Sequence, residues 1–132
     1  MSVNILFVCI ENSCRSQMAE GFAKHLAKGR INAYSAGSRP ADMVNPAAVK
    51  VMQELGIDIS GQYPKGFNEV KEINFDYVIT MGCQDICPYF SGREHLDWHI
   101  ADPKGKDIDF FRKVRDDIQE KIKSLIEIIL LQ

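Results

Sequence analysis

The sequence predicts a small α/β fold, a parallel sheet with helices packed over it, from three observations. Apolar segments of strand length alternate with amphipathic segments of helix length along the chain. The first strand candidate is an unbroken apolar run, as a strand covered on both faces requires. The chain has 132 residues, 45% hydrophobic and 26% charged. That balance suits a single domain over residues 1–132 and argues against disorder.

Asn4, Ile5, Leu6, Phe7, Val8 and Cys9 read as the first strand, because the apolar run does not alternate. Residues 15–28 read as a helix, in which Met18, Phe22 and Leu26 recur every four residues and Ala19 and Ala23 widen the stripe. Residues 31–36 form a weaker strand that ends at Gly37. Asn45 before Pro46 is an N-cap followed by a first-turn proline. The helix they open runs through Leu55 and stops at Gly56. Residues 57–72 read as loop with a short helix, and residues 77–81 as the third strand. Leu96, Trp98 and Ile100 alternate and predict a fourth strand over residues 95–100. The last helix spans residues 107–131 with the stripe Ile108, Phe111, Val114, Ile118, Ile122, Leu125 and Ile129. Its charges, among them Arg112, Lys113, Arg115, Asp116 and Asp117, read as a solvated face.

The net charge of −2 leaves no basic footprint for nucleic acid. No apolar run is long enough to span a membrane. The N-terminus lacks the basic region of a signal peptide, so a cytoplasmic location is expected. Cys9, Cys14, Cys83 and Cys87 form two close pairs, too few for a secreted disulfide scaffold. Metal binding and thiol chemistry remain. Neither pair has the tight Cys-x2-Cys spacing of a structural zinc site, and His25, His95 and His99 follow no ligand pattern. No metal and no cofactor are therefore expected. Neither nucleotide-binding glycine pattern occurs.

Cys9 ends the first strand and Arg15 opens the first helix, with Ile10, Glu11, Asn12, Ser13 and Cys14 between them and Ser16 after. A Cys-x5-Arg loop in that setting curls its backbone amides into a nest for a tetrahedral oxyanion. The helix N-terminus adds positive potential, and Arg15 grips two oxygens. An arginine in a first helical turn opposes the helix dipole, which makes sense with an anion present. The same field favours the Cys9 thiolate, and the Ser16 hydroxyl stabilises it. Cys14 reads as a packed bystander thiol. Cys87 and Arg93 repeat the spacing, but Pro88 removes a donor that a nest needs and no periodic helix follows Arg93.

The run from Val8 through Cys9, Asn12, Cys14, Arg15, Ser16 and Met18 to Gly21 resembles the active-site signature of thioredoxin-coupled arsenate reductases. These share the fold of low-molecular-weight protein tyrosine phosphatases. The resemblance extends through Ser35-Ala36-Gly37, residues 56–60, the third strand with Cys83 and Cys87, and Asp102-Pro103. It implies a three-layer α/β/α domain around a four-stranded parallel sheet of order 2-1-3-4, flavodoxin-like and of the phosphotyrosine phosphatase I type. In such a sheet the first and third strands are neighbours, and Cys9, Cys83 and Cys87 lie past carboxyl ends that share one ligand-binding edge.

The resemblance implies arsenate as substrate, with phosphate or sulfate as mimics. Cys9 is then the nucleophile, Arg15 the oxyanion grip, Asp102 the general acid, and Cys83 and Cys87 relay a disulfide. A thioredoxin or similar dithiol protein would be the reductant, and a monomer is expected. The three-residue gap between Cys83 and Cys87 is shorter than in familiar family members. Asp85 and Asp97 are weaker acid candidates. Some relatives hold a potassium ion behind the loop, at positions matching Asn12, Glu20 and Ser35. Near position 65, where an acidic residue is expected, this chain has Lys65, whose ammonium is expected to replace the ion. Two rivals use the same residues: a tyrosine phosphatase acting through phosphocysteine, and an oxyanion-binding or redox-sensing module without turnover. Aromatic residues follow the Asp-Pro in phosphatase relatives; here Lys104-Gly105-Lys106 follows, which weakens the phosphatase reading.

Overall fold

A computed structural model describes residues 2–82 and 92–131 of the chain. Strand β1 (Val3–Cys9) is fully buried from Ile5 onward, as its unbroken apolar run demands. It pairs in parallel with β2 (Ile31–Gly37) on one side and with β3 (Phe75–Thr80) on the other. Strand β4 (Gly92–Asp97) pairs in parallel with β3 and closes the order β2-β1-β3-β4, as expected.

Side chains alternate along β1 and feed two apolar clusters. Ile5, Phe7 and Cys9 join the large one, with Met18 and Phe22 of α1 (Arg15–Ala27), Val51 and Met52 of α2 (Pro46–Gln53), and Val114, Ile118 and Ile122 of α3 (Ile108–Leu130). Leu6 and Val8 join Ala36, Val70 and Val78 in the smaller one. Phe67 and Ile73 close that side from around the 3-10 turn Phe67–Glu69, and among the described residues the layer over this face is the thinner.

Asn45 caps as expected, accepting the Ala47 N–H through its side chain ahead of Pro46. Asp107 also caps, accepting the Phe110 N–H at the head of α3. Regular helix ends at Gln53 rather than Leu55, and tighter turns lead the chain through to Gly56.

Two expectations are corrected. The fourth strand is residues 92–97, not 95–100. The chain leaves the sheet at Trp98, whose N–H still donates to Thr80 O, and it turns at once, with the Ile100 N–H on Trp98 O. The apparent alternation arises because Trp98 packs at a tilt against Phe7 and Ile100 is buried beyond the sheet. Arg115 is not on a solvated face but buried, donating to Val51 O and to Glu54.

Register fixes what the edge presents. Cys9 lies opposite Gly37, Val8 opposite Thr80, and Thr80 opposite Asp97. The Met81 N–H bonds Val8 O. All four strands therefore deliver their last residues to one rim.

Candidate active site

The segment between β1 and α1 is a loop whose carbonyls are all committed elsewhere. Ile10 O accepts from Arg39 N, Glu11 O from Ala41 N, Ser13 O from Asn45 N and Cys14 O from Met18 N, at 2.8–3.0 Å. Asn12 O accepts from the buried Gln17 amide at 3.0 Å. The amide side of the loop is what remains to face the cavity around Cys9.

Asn12 holds the bend. It has a φ of +52°, a left-handed conformation that asparagine tolerates. Its side chain donates to Ser16 Oγ at 2.7 Å and accepts from Gln17 Nε2 and Lys65 N. Gly37 permits the close passage of β2 beneath the loop, because a Cβ there would lie 2.6 Å from Cys9 O and 2.9 Å from Asn12 N.

Cys9 and Ser16 are buried with Sγ and Oγ 2.8 Å apart. The Ser16 oxygen already accepts from Asn12, so its own hydrogen is free for the sulfur. Arg15 is buried as well. Its Nη1 donates to Ile100 O at 3.1 Å, and its Nη2 lies 3.6 Å from Asp102 Oδ2.

Asp102 stands half-exposed at the mouth, and its Oδ1 accepts from the Lys104 N–H. The cavity, about 300 Å³, is lined by Cys9, Arg15, Asp102 and Lys104, with Glu11 and Arg39 on its rim. Burial pushes the Cys14 thiol up to about 11, against the hydrogen bond from Ser13. Cys14 is therefore a neutral thiol beside Cys9 at neutral pH.

The structure thus brings Cys9, Arg15, Ser16, Asp102 and the loop residues Ile10 to Cys14 together. Cys83, Cys87 and Asp85 lie outside the described residues. The chain does reach the site at Gly82, one residue earlier, where a Cβ would run into Arg15 Nη1. Asp97 is occupied elsewhere, accepting from Thr80 Oγ1 at 2.9 Å. His99 and His25 are exposed.

Sequence reasoning missed Arg39, which is presented to the mouth because its backbone is bonded to Ile10 O. It also missed the roles of Gln17 and Gln62, a relay in which the half-buried Gln62 donates to the buried Gln17, and Gln17 to Asn12 and Tyr63 O. A glutamine carries no motif, and its only signal was a polar residue on the first helix's inward face.

Behind the loop, Glu20 is buried and accepts from Ser35 Oγ. Lys24 binds its other oxygen, and Lys65 Nζ lies 3.7 Å from Oε1 while donating to Tyr63 O. Two ammonium groups already neutralise this carboxylate, so the residues do not fit a potassium ion there. Glu20, Lys24 and Lys65 line a larger cavity of about 660 Å³ along β2, away from Cys9. Among the described residues no helix is long and apolar enough to cross a membrane.

Comparison with known proteins agrees with this geometry. Residues 4–131 match the family described as low molecular weight phosphotyrosine protein phosphatase. A glutaredoxin arsenate reductase of Synechocystis is 42% identical over 92% of this chain and 95% of its own. The structure of an arsenate reductase in the phosphate binding state superposes with a TM-score of 0.87 at 40% identity, over 95% of this chain and 97% of that one. A thioredoxin-dependent arsenate reductase of Corynebacterium glutamicum gives 0.80 at 32% identity, over 98% of this chain and 63% of that one.

Proposed function

The chain belongs to the low molecular weight phosphotyrosine protein phosphatase family, and we propose that within it this protein is an arsenate reductase working through Cys9, Cys83 and Cys87. The carrying observation is the buried Cys9 sulfur beside a hydroxyl with a free hydrogen, inside a loop with every carbonyl turned away and a buried guanidinium alongside. That arrangement suits nucleophilic attack on a tetrahedral oxyanion. The charged rim of Glu11, Arg39 and Lys104 favours a small inorganic anion over an aryl ester.

In this reading the Cys9 thiolate attacks As(V), while Asp102 protonates the departing oxygen, which leaves as water. A thiol–arsenic adduct results. The Cys83 thiolate then attacks Cys9 Sγ. The sulfur–arsenic electron pair passes to arsenic, arsenite leaves as As(III), and a Cys9–Cys83 disulfide forms. Cys87 attacks Cys83, which frees Cys9 and leaves a Cys83–Cys87 disulfide. A thioredoxin-type dithiol protein in the cytoplasm supplies the two electrons that close the cycle, and the protein acts as a monomer and a single domain.

The test is NADPH consumption with arsenate, thioredoxin and thioredoxin reductase, run beside aryl-phosphate hydrolysis, for the parent and Cys83→Ser. Arsenate-dependent turnover should fall to background in Cys83→Ser, with weak aryl-phosphate hydrolysis retained. Hydrolysis in both proteins with no arsenate reduction by any dithiol donor would make the chain a phosphatase.

A further inference from the structure

Lys104 makes two contacts that no role assigned so far explains. Its backbone N–H donates to Asp102 Oδ1 at 3.1 Å, and its ammonium meets Glu11 Oε2 at 2.6 Å. Glu11 belongs to the oxyanion loop, so the pair joins residues 93 positions apart across the mouth of the Cys9 cavity. The hydrogen bond to Glu11 raises the Lys104 ammonium above its ordinary value, so it is charged at neutral pH.

The loop that carries Asp102 needs such a tie. Residues 101–107 are exposed apart from Pro103, and the turn there is local, with the Lys106 N–H on Pro103 O. Asp102 Oδ2 is held only at 3.6 Å from Arg15. Without a long-range anchor, an exposed loop of this kind samples many conformations.

We propose that the Glu11–Lys104 ion pair is a strap across the cavity mouth, which closes the oxyanion loop against the Asp102 turn and holds Asp102 over a bound oxyanion. Glu11 and Lys104 are thus positioning residues for the reaction, acting through Asp102 and the loop. The inference rests on the Cys9 reading above. An exposed ion pair contributes little to folding stability. Its use here is to restrict one turn, so the effect belongs in binding and turnover.

Two mechanisms give opposite signs. If the charges act only through their field on the anion, Glu11→Gln removes a negative charge and tightens phosphate, while Lys104→Met weakens it. If they act as a strap, both substitutions weaken it. The Kd for inorganic phosphate is measured by calorimetry on the reduced full chain, and kcat and KM are measured for arsenate. The strap predicts that each single variant raises the phosphate Kd about two- to fivefold and lowers kcat by a similar factor. The reversed pair Glu11→Lys with Lys104→Glu should restore both. Tighter phosphate binding in Glu11→Gln, a change confined to KM, or a reversed pair as weak as the singles overturns the strap. Phosphate binding does not require turnover. A chain that binds phosphate with this dependence but never reduces arsenate overturns the arsenate reading and leaves the strap standing.

Discussion

Gly82 has a φ of +90°, and its bare α-carbon faces Arg15 Nη1. A side chain there carries two penalties. Backbone strain costs about 1–3 kcal/mol for most residues, and the new Cβ displaces the guanidinium. Asparagine tolerates positive φ but brings the same Cβ, so the penalties separate. Gly82→Ala should lower the melting temperature and weaken phosphate binding about tenfold or more, the loss expected for one charge-assisted contact. Gly82→Asn should melt closer to the parent yet bind phosphate equally poorly. Calorimetry and thermal melts check both, and unchanged phosphate affinity in Gly82→Asn would detach Gly82 from the site. At this scale the sequence points to the residues proposed to carry the chemistry. Cys9 and Arg15 stand out by spacing, and Asp102 through the resemblance alone. Gly82, Arg39 and Gln17 do not, because their roles come from what lies opposite them in space.

Between elements, the clasp of α2 to α3 runs through Glu54, just past the last residue of α2. Its carboxylate receives Arg112 Nη2 at 2.7 Å and Arg115 Nη1 at 2.8 Å. Hydrogen bonding from Arg112, then from Arg115, lowers its pKa from 4.5 to about 2. The folded-state value is depressed, so the clasp contributes fully above about pH 4.5 and is lost as pH falls toward 2. Glu54→Gln should therefore melt slightly below the parent at pH 7, and the gap should close as pH approaches 2. A gap that stays constant from pH 7 to pH 2 would remove the clasp from the account. Sequence periodicity located α3 and its apolar stripe but treated Arg115 as solvated, because charge type alone does not reveal a carbonyl and a carboxylate waiting on another helix. Strand β4 escaped for the opposite reason. Among the described residues it is an edge strand paired on one side, and Leu96 is its single apolar residue, so it carries little apolar pattern, and the rest of the visible pattern belonged to the turn after it.

For the molecule as a whole, the unbroken apolar run of the first strand and the order and lengths of the segments were enough for a parallel sheet, and the resemblance gave its order. What stayed invisible was the support beneath the oxyanion loop. Residues 39 and 41 bind its carbonyls from a segment to which no element is assigned in the sequence, and Asn45 does so from the head of α2. That support exists only once the chain has folded, and so does the buried Arg15. An oxyanion held as proposed would bind the native state and find nothing comparable in the unfolded chain. At a hundredfold excess over Kd it adds about 2.7 kcal/mol to stability. Melting temperature should accordingly climb with phosphate concentration at fixed ionic strength, and equal melting in phosphate and chloride buffers would deny the loop its anion. On the proposed reading phosphate would act as preservative and rival at once. A medium rich in it would lengthen the life of the protein while keeping the catalyst idle, so a chain starved of phosphate would be both the readiest to detoxify arsenate and the quickest to be lost to proteolysis.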